Sequence, residues 1–536
     1  MKGTICVVLA GLLAGLLAGL LAGTVASADE PWLAPGNLQV RHDIQLLVDD
    51  GVIDIPLSHW PIATADLAQA LTAAERKYGL ARESGSAAEG KAAEKAGEKA
   101  GEKARDEAAW GFTLSNAQFA ALTRLRAITA RKSTGFFGEL SGAARPQVLR
   151  TFRDEPRAEY GVTAGYAGMS NERFGGRLEL TVVGSPPDGD NFRLDGSYVT
   201  GRLGNWLVTL GAQDRWWGSG WQGSLILGNN ARPVPAIALD RAESLPFESK
   251  WLRWIGPWRL TTFLGYMDED RQDYDHPLLF GARIAARPIQ GLEISVERTA
   301  QFCGEGRSCD WSDFWNLWWG NDNAGENVDA EDEPGNQLAS WDIRWASPIG
   351  NWPYAIYWQH TGETIDNQLY RPYRSMELGG AEVWGDLDSG ASWRLNFELA
   401  DTLCSGSIDG ETLWDCAYNN NIFNVEGYRY KGRVMGHSID GDSVQYALRY
   451  LLMPASGTSW DFMLRYSRLN RDGAFPDTRN SVAPGPENWW SYDVSYRHPV
   501  AKGWVEIGVG MDQEDRKWDD DTALLPRGTL TWHVGF

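Results

Sequence analysis

The chain has 536 residues, among them 60 Gly, 27 Trp and 18 Tyr, and a formal net charge of −21. That charge argues against nucleic acid as a partner, because phosphate binding needs clustered Lys and Arg. After residue 28 no apolar run approaches the ~18 residues of a spanning helix, so any membrane crossing by the remainder has to use strands.

At the start, Lys2 precedes an apolar run from Ile5 to Val25 and then Ala26-Ser27-Ala28, the small-residue pattern of a signal-peptidase site. A leader over 1–28 with a mature start at Asp29 is expected. The alternative is an uncleaved anchor helix, since the run is long and Gly11, Gly15, Gly19 and Gly23 mimic a helix-dimerisation motif. The well-formed cleavage site favours the leader. Cys6 lacks the preceding Leu and small residue of a lipoprotein signal.

From 29 to 135 the apolar period is helical. Leu38, Ile44, Leu47 and Val48 mark a first helix; Thr64 is placed as the cap of a second carrying Leu67 and Leu71; Ser115-Asn116-Ala117-Gln118 is a capping box for a third with Phe119, Leu122 and Leu125 on its apolar side. Three amphipathic helices predict a small bundle. Between the second and third lies a low-complexity insert, 82–107, with Gly97 and Gly101 recurring in a Glu-Lys-Ala-Gly repeat that favours a linker over a stable helix.

After Phe136 the period becomes two. Tyr160, Val162, Ala164 and Tyr166 alternate with Glu159, Gly161, Thr163 and Gly165, and Trp393, Leu395, Phe397 and Leu399 alternate with Arg394, Asn396 and Glu398. Val444 to Tyr450 and Trp460 to Tyr466 repeat the pattern. Charges recur too often on the second face for a soluble core, so an apolar-out, polar-in barrel is predicted. Short connections near 201–205, Gly256-Pro257, 288–291, 348–353, 386–390, 454–459 and 498–503 alternate with longer ones at 213–250, 267–278, 300–338, 360–378, 400–442, 468–488 and 511–525. The acidic runs Asp268 to Asp275, Glu326 to Glu333 and Asp512 to Asp521 fall in the longer ones. The expected fold is mainly β: a transmembrane antiparallel β-barrel of about 18 strands over 136–536, with a small N-terminal α-helical periplasmic domain. An even strand number leaves both ends periplasmic, so the helices sit beneath the barrel or plug its lower mouth. The last strand alternates Leu530, Trp532, Val534 and Phe536 against Thr529, Thr531, His533 and Gly535, and resembles the assembly signal of bacterial outer-membrane barrels.

Without Cys6 four cysteines remain: Cys303, Cys309, Cys404 and Cys416. Four permit three connectivities, and local pairing, 303 with 309 and 404 with 416, is the expectation. Neither pair has His or further Cys at zinc-like spacing, which favours disulfides in an oxidising compartment over a metal site.

The densest chemistry lies at 214–233. Asp214, Arg215, Trp216, Trp217, Trp221, Gln222, Asn229, Asn230 and Arg232 combine flat indoles with fixed polar groups, a set that suits stacking on a sugar ring and hydrogen bonding to its hydroxyls. The competing explanation is an aromatic belt with glycines that turn the chain. Tyr428, Arg429, Tyr430 and His437 form a second candidate polar loop patch for glycan, or pack loops over the lumen. Gly436-His437-Ser438-Ile439-Asp440 has the start of a nucleophile elbow but lacks its closing Gly and its strand-to-helix turn, so no enzyme activity is expected. The carboxylates have no EF-hand spacing, and no cofactor or metal is predicted.

Trp216-Trp217-Gly-Ser-Gly-Trp221 with Leu227-Gly-Asn229-Asn230-Ala-Arg232-Pro233 resembles the signature of the Wzi-type capsule assembly proteins of Gram-negative outer membranes. Trp32-Leu33, Leu38 to Gly51, Trp60-Pro61, Glu333 to Gln337 with Asp342, Gly427 to Tyr430 and Gly436 to Ser438 look like the same family, so the likeness covers essentially the whole mature chain. The insert is the main departure. The resemblance implies an eighteen-stranded barrel with a helical periplasmic domain, acting as a lectin that holds newly exported capsular polysaccharide at the cell surface. A porin for small solutes or sugars is the alternative function. Expected partners are capsular or extracellular polysaccharide, outer-membrane lipid and lipopolysaccharide, and the barrel assembly machinery; a monomer, integral to the outer membrane, is expected.

Overall fold

A computed structural model describes residues 30–80, 114–130 and 135–535, apart from 172, 311, 313, 316–334, 348–351, 366–371, 406–411 and 420–424. The leader at 1–28, the insert at 82–107 and Phe536 lie outside the described residues.

Eighteen antiparallel strands close into one barrel. In chain order they are β1 Phe136–Ala143, β2 Tyr160–Met169, β3 Phe174–Gly184, β4 Tyr198–Leu203, β5 Trp206–Gly211, β6 Ala236–Arg241, β7 Trp258–Tyr266, β8 Leu278–Ile289 and β9 Leu292–Phe302. Then follow β10 Gly335–Ala346, β11 Tyr354–Ile365, β12 Pro372–Asp386, β13 Ser392–Ser405, β14 Val444–Met453, β15 Ser459–Leu469, β16 Glu487–Val500, β17 Gly503–Arg516 and β18 Asp521–Gly535. Each strand pairs with its sequence neighbour, and β18 closes on β1, with Thr529 opposite Ala143 and Gly535 opposite Phe137.

β13 and β14 show why the sequence takes this form. Leu395 opposes Tyr450 and Phe397 opposes Leu448 on the outer surface, while Asn396 opposes Arg449 and Glu398 opposes Ala447 inside. Phe397 is 47% exposed and Arg449 0%, so the sheet turns its grease outward and its charge inward. Inward charges are tolerable because they are paired: Arg449 with Asp461 at 2.9 Å, Arg465 with Asp493 at 3.2 Å, Arg394 with Glu382 at 2.5 Å.

Three connections differ from the expected pattern. The strand between the long loop placed at 213–250 and the turn at Gly256-Pro257 is β6, so the outer loop is only 212–235 and the lower connection is 242–257, with a 3-10 turn at Arg253–Ile255. Continuous ladders carry β17 and β18 to Arg516 and Asp521, so the loop placed at 511–525 shrinks to 517–520. The loop placed at 360–378 shrinks similarly, because β11 reaches Ile365 and pairs it with Pro372.

The helices are α1 Leu38–Asp49, α2 Thr64–Lys77 and α3 Asn116–Thr129. Asn37 caps α1 by accepting from the Val40 amide at 3.1 Å, and the Ser115 and Gln118 capping box opens α3. Thr64 is not a cap: it is the first helical residue of α2, whose N-cap position is held by Ala63 without a side-chain bond. Phe119 is not on the buried face of α3 either; it is half-exposed, and Ala121, Leu122 and Leu125 are the residues that pack.

These helices plug the lower mouth. Every described α1 residue but Gln39 is buried, including Arg41, His42, Asp43 and Gln45, because one face meets α3 and the other meets the barrel wall. Arg124 of α3 pairs with Asp43, and Arg344 of β10 with Asp49. One hydrophobic cluster runs from Ile44, Leu47 and Trp60 through Leu67 and Leu122 to Trp216, Trp221 and Leu451 of the wall. Above it a second cluster joins Trp217, Leu225, Ile226, Tyr418, Tyr428, Val434 and Ile439. The lumen is filled from both ends.

Candidate functional site

The 212–235 loop turns inward, and its geometry is set by glycine. A side chain at Gly223 would collide with the His437 ring, and one at Gly220 with the Gly223 carbonyl, so only glycine allows the loop to fold on itself here. Trp216 and Trp217 then pair antiparallel with Trp60 and His59, a two-residue ladder between the outer loop and the helical segment. The Glu398 carboxylate accepts from the amides of Trp221, Gln222 and Gly223 at 2.7, 3.1 and 3.1 Å. Asp342 accepts from the Ser219 amide and hydroxyl, and Gln359 bridges the Leu225 amide and the Trp217 carbonyl. The Arg41 guanidinium lies 4.1 Å over the Trp221 ring and 4.4 Å over Phe152. Inward carboxylates and amides of the wall thus hold the loop through its backbone.

This placement puts most of the expected sugar platform inside the barrel. Trp216, Trp217 and Trp221 are 1%, 0% and 0% exposed, and Gln222 is buried beside them, so none presents a face to a polymer outside the barrel. Asn229 and Asn230 are structural ties: their side-chain amides donate to the carbonyls of Phe152 and Val434. Arg215 is buried over the Phe263 ring. Tyr428 and Arg429 are buried in the 425–443 segment, where Arg429 pairs with Asp440 at 2.5 Å. His437 is buried too, and burial with the nearby Arg465 pushes it down to about 3, so it is neutral at ordinary pH. Ser438 donates to the Arg150 carbonyl, and His437 Nδ1 accepts from the Ile439 amide; the Gly436 to Asp440 segment is plug backbone.

What reaches the outer mouth is a polar rim. Arg232 donates to Asp188 at 3.0 Å, Asp190 at 2.7 Å and Asp195 at 2.9 Å. Lys431 lies 3.5 Å from both Asp190 and Asp268, and the Tyr430 hydroxyl donates to Asp268. Asp214 lies 3.6 Å from Arg157. Burial pushes Asp214 up to about 6; Arg157 opposes that shift, while Asp154 and Asp195 add to it. The Asp214 side chain nevertheless keeps 33% of its surface, so water reaches it. Between these groups opens a small pocket of about 20 Å³ lined by Asp214, Arg232, Gln213, Pro233, Phe263 and Met435 among others. The rim sets cations beside carboxylates, and a hydroxyl can donate to the carboxylates and accept from the cations.

Sequence reasoning gave no role to the 144–159 loop between β1 and β2. Its Arg150 donates to the carbonyls of Asn229 and Glu155, and Arg157 to those of Asn229 and Asn230, locking the inward loop from the side. The recurrence of Arg145, Arg150, Arg153 and Arg157 opposite acidic strands was the available signal. The two disulfides form between the expected partners, Cys303 with Cys309 and Cys404 with Cys416, each on an outer loop.

The architecture defines a plugged antiparallel β-barrel with a polar outer mouth, a class of protein whose lumen is structural. The family model for capsule assembly protein Wzi matches residues 75–522, and the chain belongs to that family. It is 28% identical over 483 residues to an uncharacterized 55.8 kDa protein in the cps region of Klebsiella pneumoniae, across 88% of this chain and 84% of that one. It is similar in fold to Wzi of Escherichia coli, an outer-membrane protein involved in group 1 capsule assembly described as a carbohydrate-binding β-barrel. That likeness has a TM-score of 0.75 at 22% identity, over 94% of this chain and 99% of the other.

Proposed function

We propose that this protein is an integral outer-membrane barrel that binds capsular or extracellular polysaccharide at its outer mouth and attaches it to the cell surface. Its family is named for capsule assembly, and its E. coli relative is described as carbohydrate-binding. The filled lumen is the observation that carries this over the porin alternative: buried Trp216 and Trp221 meet α1 across the bore. In this reading residues 1–28 are a cleaved export signal, the helical end faces the periplasm, the outer wall contacts lipid and lipopolysaccharide, and the barrel assembly machinery inserts a monomer.

The glycan contacts are assigned to the rim: Asp214 and Arg232 from the original set, with Asp190, Asp195, Asp268 and Lys431 beside them. No catalysis is proposed, since the one serine and histidine pair of interest is engaged in plug backbone contacts. Direct binding of the purified barrel to the producer's own polysaccharide tests the proposal, with Arg232→Ala and Lys431→Ala expected to weaken it. A deletion strain should shed polysaccharide into the medium at unchanged synthesis. Unchanged retention, together with no measurable binding, would remove the assignment.

A further inference from the structure

The connection from β6 to β7 runs from 242 to 257 at the plugged end of the barrel, where its neighbours turn at 204–205 and 290–291. Its start is tied inside, since the Ser244 amide donates to Asp66 of α2 at 2.9 Å. Strand alternation then decides where it goes. The Asp240 and Thr261 side chains are bonded to each other inside the barrel, and Arg259 donates there to the carbonyls of His59 and Pro61. Arg241 and Trp258, one step along, therefore face outward. The Phe247 ring stacks on Trp258 with centroids 4.5 Å apart, and the Arg241 guanidinium lies 3.9 Å from the centroid of the same indole. Arg241 also donates to the Leu245 carbonyl at 2.8 Å. The loop thus crosses the rim and straps itself to the outer, lipid-facing wall, which leaves Trp258 only 7% exposed. The 3-10 turn at Arg253–Ile255 seats its far end against β8, where a side chain at Gly256 would strike the Arg287 carbonyl.

The strap displays a mixed patch. Trp251, Leu252 and Trp254 are 86%, 42% and 67% exposed, with Lys250 and Arg253 exposed between them. Neither cation has an ion pair among the described residues; Arg253 only donates to the Glu248 carbonyl at 3.4 Å. Of the loop's two acids, Glu243 is held by Arg202 at 2.5 Å and Glu248 is exposed. Unpaired cations beside bare indoles stand out in a chain with a net charge of −21. Contiguous exposed apolar side chains mark a contact surface, and this one lies on the lipid-facing wall at its lower edge. Indoles favour the head-group level of a bilayer, and cations at that depth meet lipid phosphate. Belt aromatics borne on strands give affinity for the interface alone; the two cations add a preference for negative charge.

We propose that the 242–257 strap is an anchor for anionic phospholipid: Trp251, Leu252 and Trp254 enter the head-group layer on the plugged side, and Lys250 and Arg253 bind its anionic head groups. That this leaflet is the periplasmic one rests on the helical end facing the periplasm, as proposed above; the lipid contact itself does not, and it is independent of glycan binding.

The test uses the full-length barrel carrying Leu252→Cys labelled with an NBD fluorophore, in vesicles of phosphatidylcholine with and without phosphatidylglycerol. Cys303, Cys309, Cys404 and Cys416 are paired and do not compete for the label. Blue-shifted emission is expected, with quenching by brominated phosphatidylglycerol favoured over brominated phosphatidylcholine by about fivefold for each cation. Lys250→Gln with Arg253→Gln should abolish the preference and keep the blue shift. Ser249→Cys is an alternative labelling position if the first variant fails to fold, since Ser249 is also exposed. Emission characteristic of water in both vesicles overturns the anchor and leaves the patch to a protein partner. Equal quenching by the two lipids in the wild-type background overturns the anionic preference. In intact cells, a maleimide too bulky to cross the outer membrane should leave Leu252→Cys unlabelled; labelling would overturn the periplasmic assignment alone.

Discussion

Asp49, the last residue of α1, meets Arg344 of β10 through two parallel contacts of 2.6 and 2.9 Å, and Arg394 of β13 reaches the same carboxylate at 3.1 Å. The pair fastens the helical segment to the inner wall, where both guanidiniums are buried.

Asp49→Ala leaves Arg344 and Arg394 to share Glu382 alone, and losing one carboxylate of a buried network costs at most the roughly 3–5 kcal/mol of a broken buried pair. The strand ladders do not depend on it. The expected outcome is faster proteolysis within 30–80 at unchanged strand content by circular dichroism. Equal protease resistance would show that the ion pair does not hold the plug.

The wild-type barrel should carry no steady large current in planar bilayers, because α1 and the 212–235 loop occupy the bore. Large constant conductance from purified protein would favour the porin function instead.

Trp217→Ala removes a fully buried indole and should lower stability by about 3–5 kcal/mol, seen as a fall in the thermal or denaturant midpoint. Trp217→Phe should recover part of that loss through packing alone. If Trp217→Ala left stability intact and abolished glycan binding, the tryptophan would have to be a contact residue after all.

Cys404→Ser with Cys416→Ser opens a bridge across a separation of 12 residues, worth about 3 kcal/mol of loop constraint in the chain-entropy model. Hydrogen exchange at 412–419 should accelerate and the unfolding midpoint should fall with the lost constraint. The Cys303–Cys309 bridge closes a shorter loop, with a separation of 6, and should matter less, about 2 kcal/mol.

Asp214 should titrate with a midpoint near 6, against about 4 for an ordinary aspartate. Its carboxyl faces Arg157 and Arg150 as well as Asp154 and Asp195. A raised folded value means that ionisation opposes the folded loop: the penalty is absent below about pH 4 and complete above about pH 6. Local protection of 212–235 should therefore decline as pH rises between those limits, and Asp214→Asn should flatten the dependence. A pH-independent exchange rate there in the wild type would contradict this.

The barrel was legible because a wall between lipid and a polar interior writes itself as a two-residue alternation, as at Phe397 and Glu398. The strand total survived the misplacement of β6 because connections fix parity even when one strand slides within its interval. A helical plug was one of the two expected placements, but the inward fold of the 212–235 loop was not legible. Trp216 and Trp217 beside Asn229 and Arg232 have the same composition whether they face a sugar or another segment of the chain, and their partners, His59, Trp60 and Glu398, are remote in sequence. The glycines at 220 and 223 held a clue, since Gly223 is required by the His437 ring rather than by a turn.

The ladder of Trp60 with Trp216 lies inside a ring whose closure joins β1 to β18. A ring of this kind cannot receive so wide a filling once it is shut, and it cannot shut until its last strand is available. The helical segment and the inward loop therefore have to find each other while the sheet is still an open curved ribbon. Contacts so far apart in sequence form slowly, so biogenesis is a matter of timing: premature joining of β1 and β18 would yield an empty, leaky shell, and whatever holds that seam apart sets the yield of sealed protein.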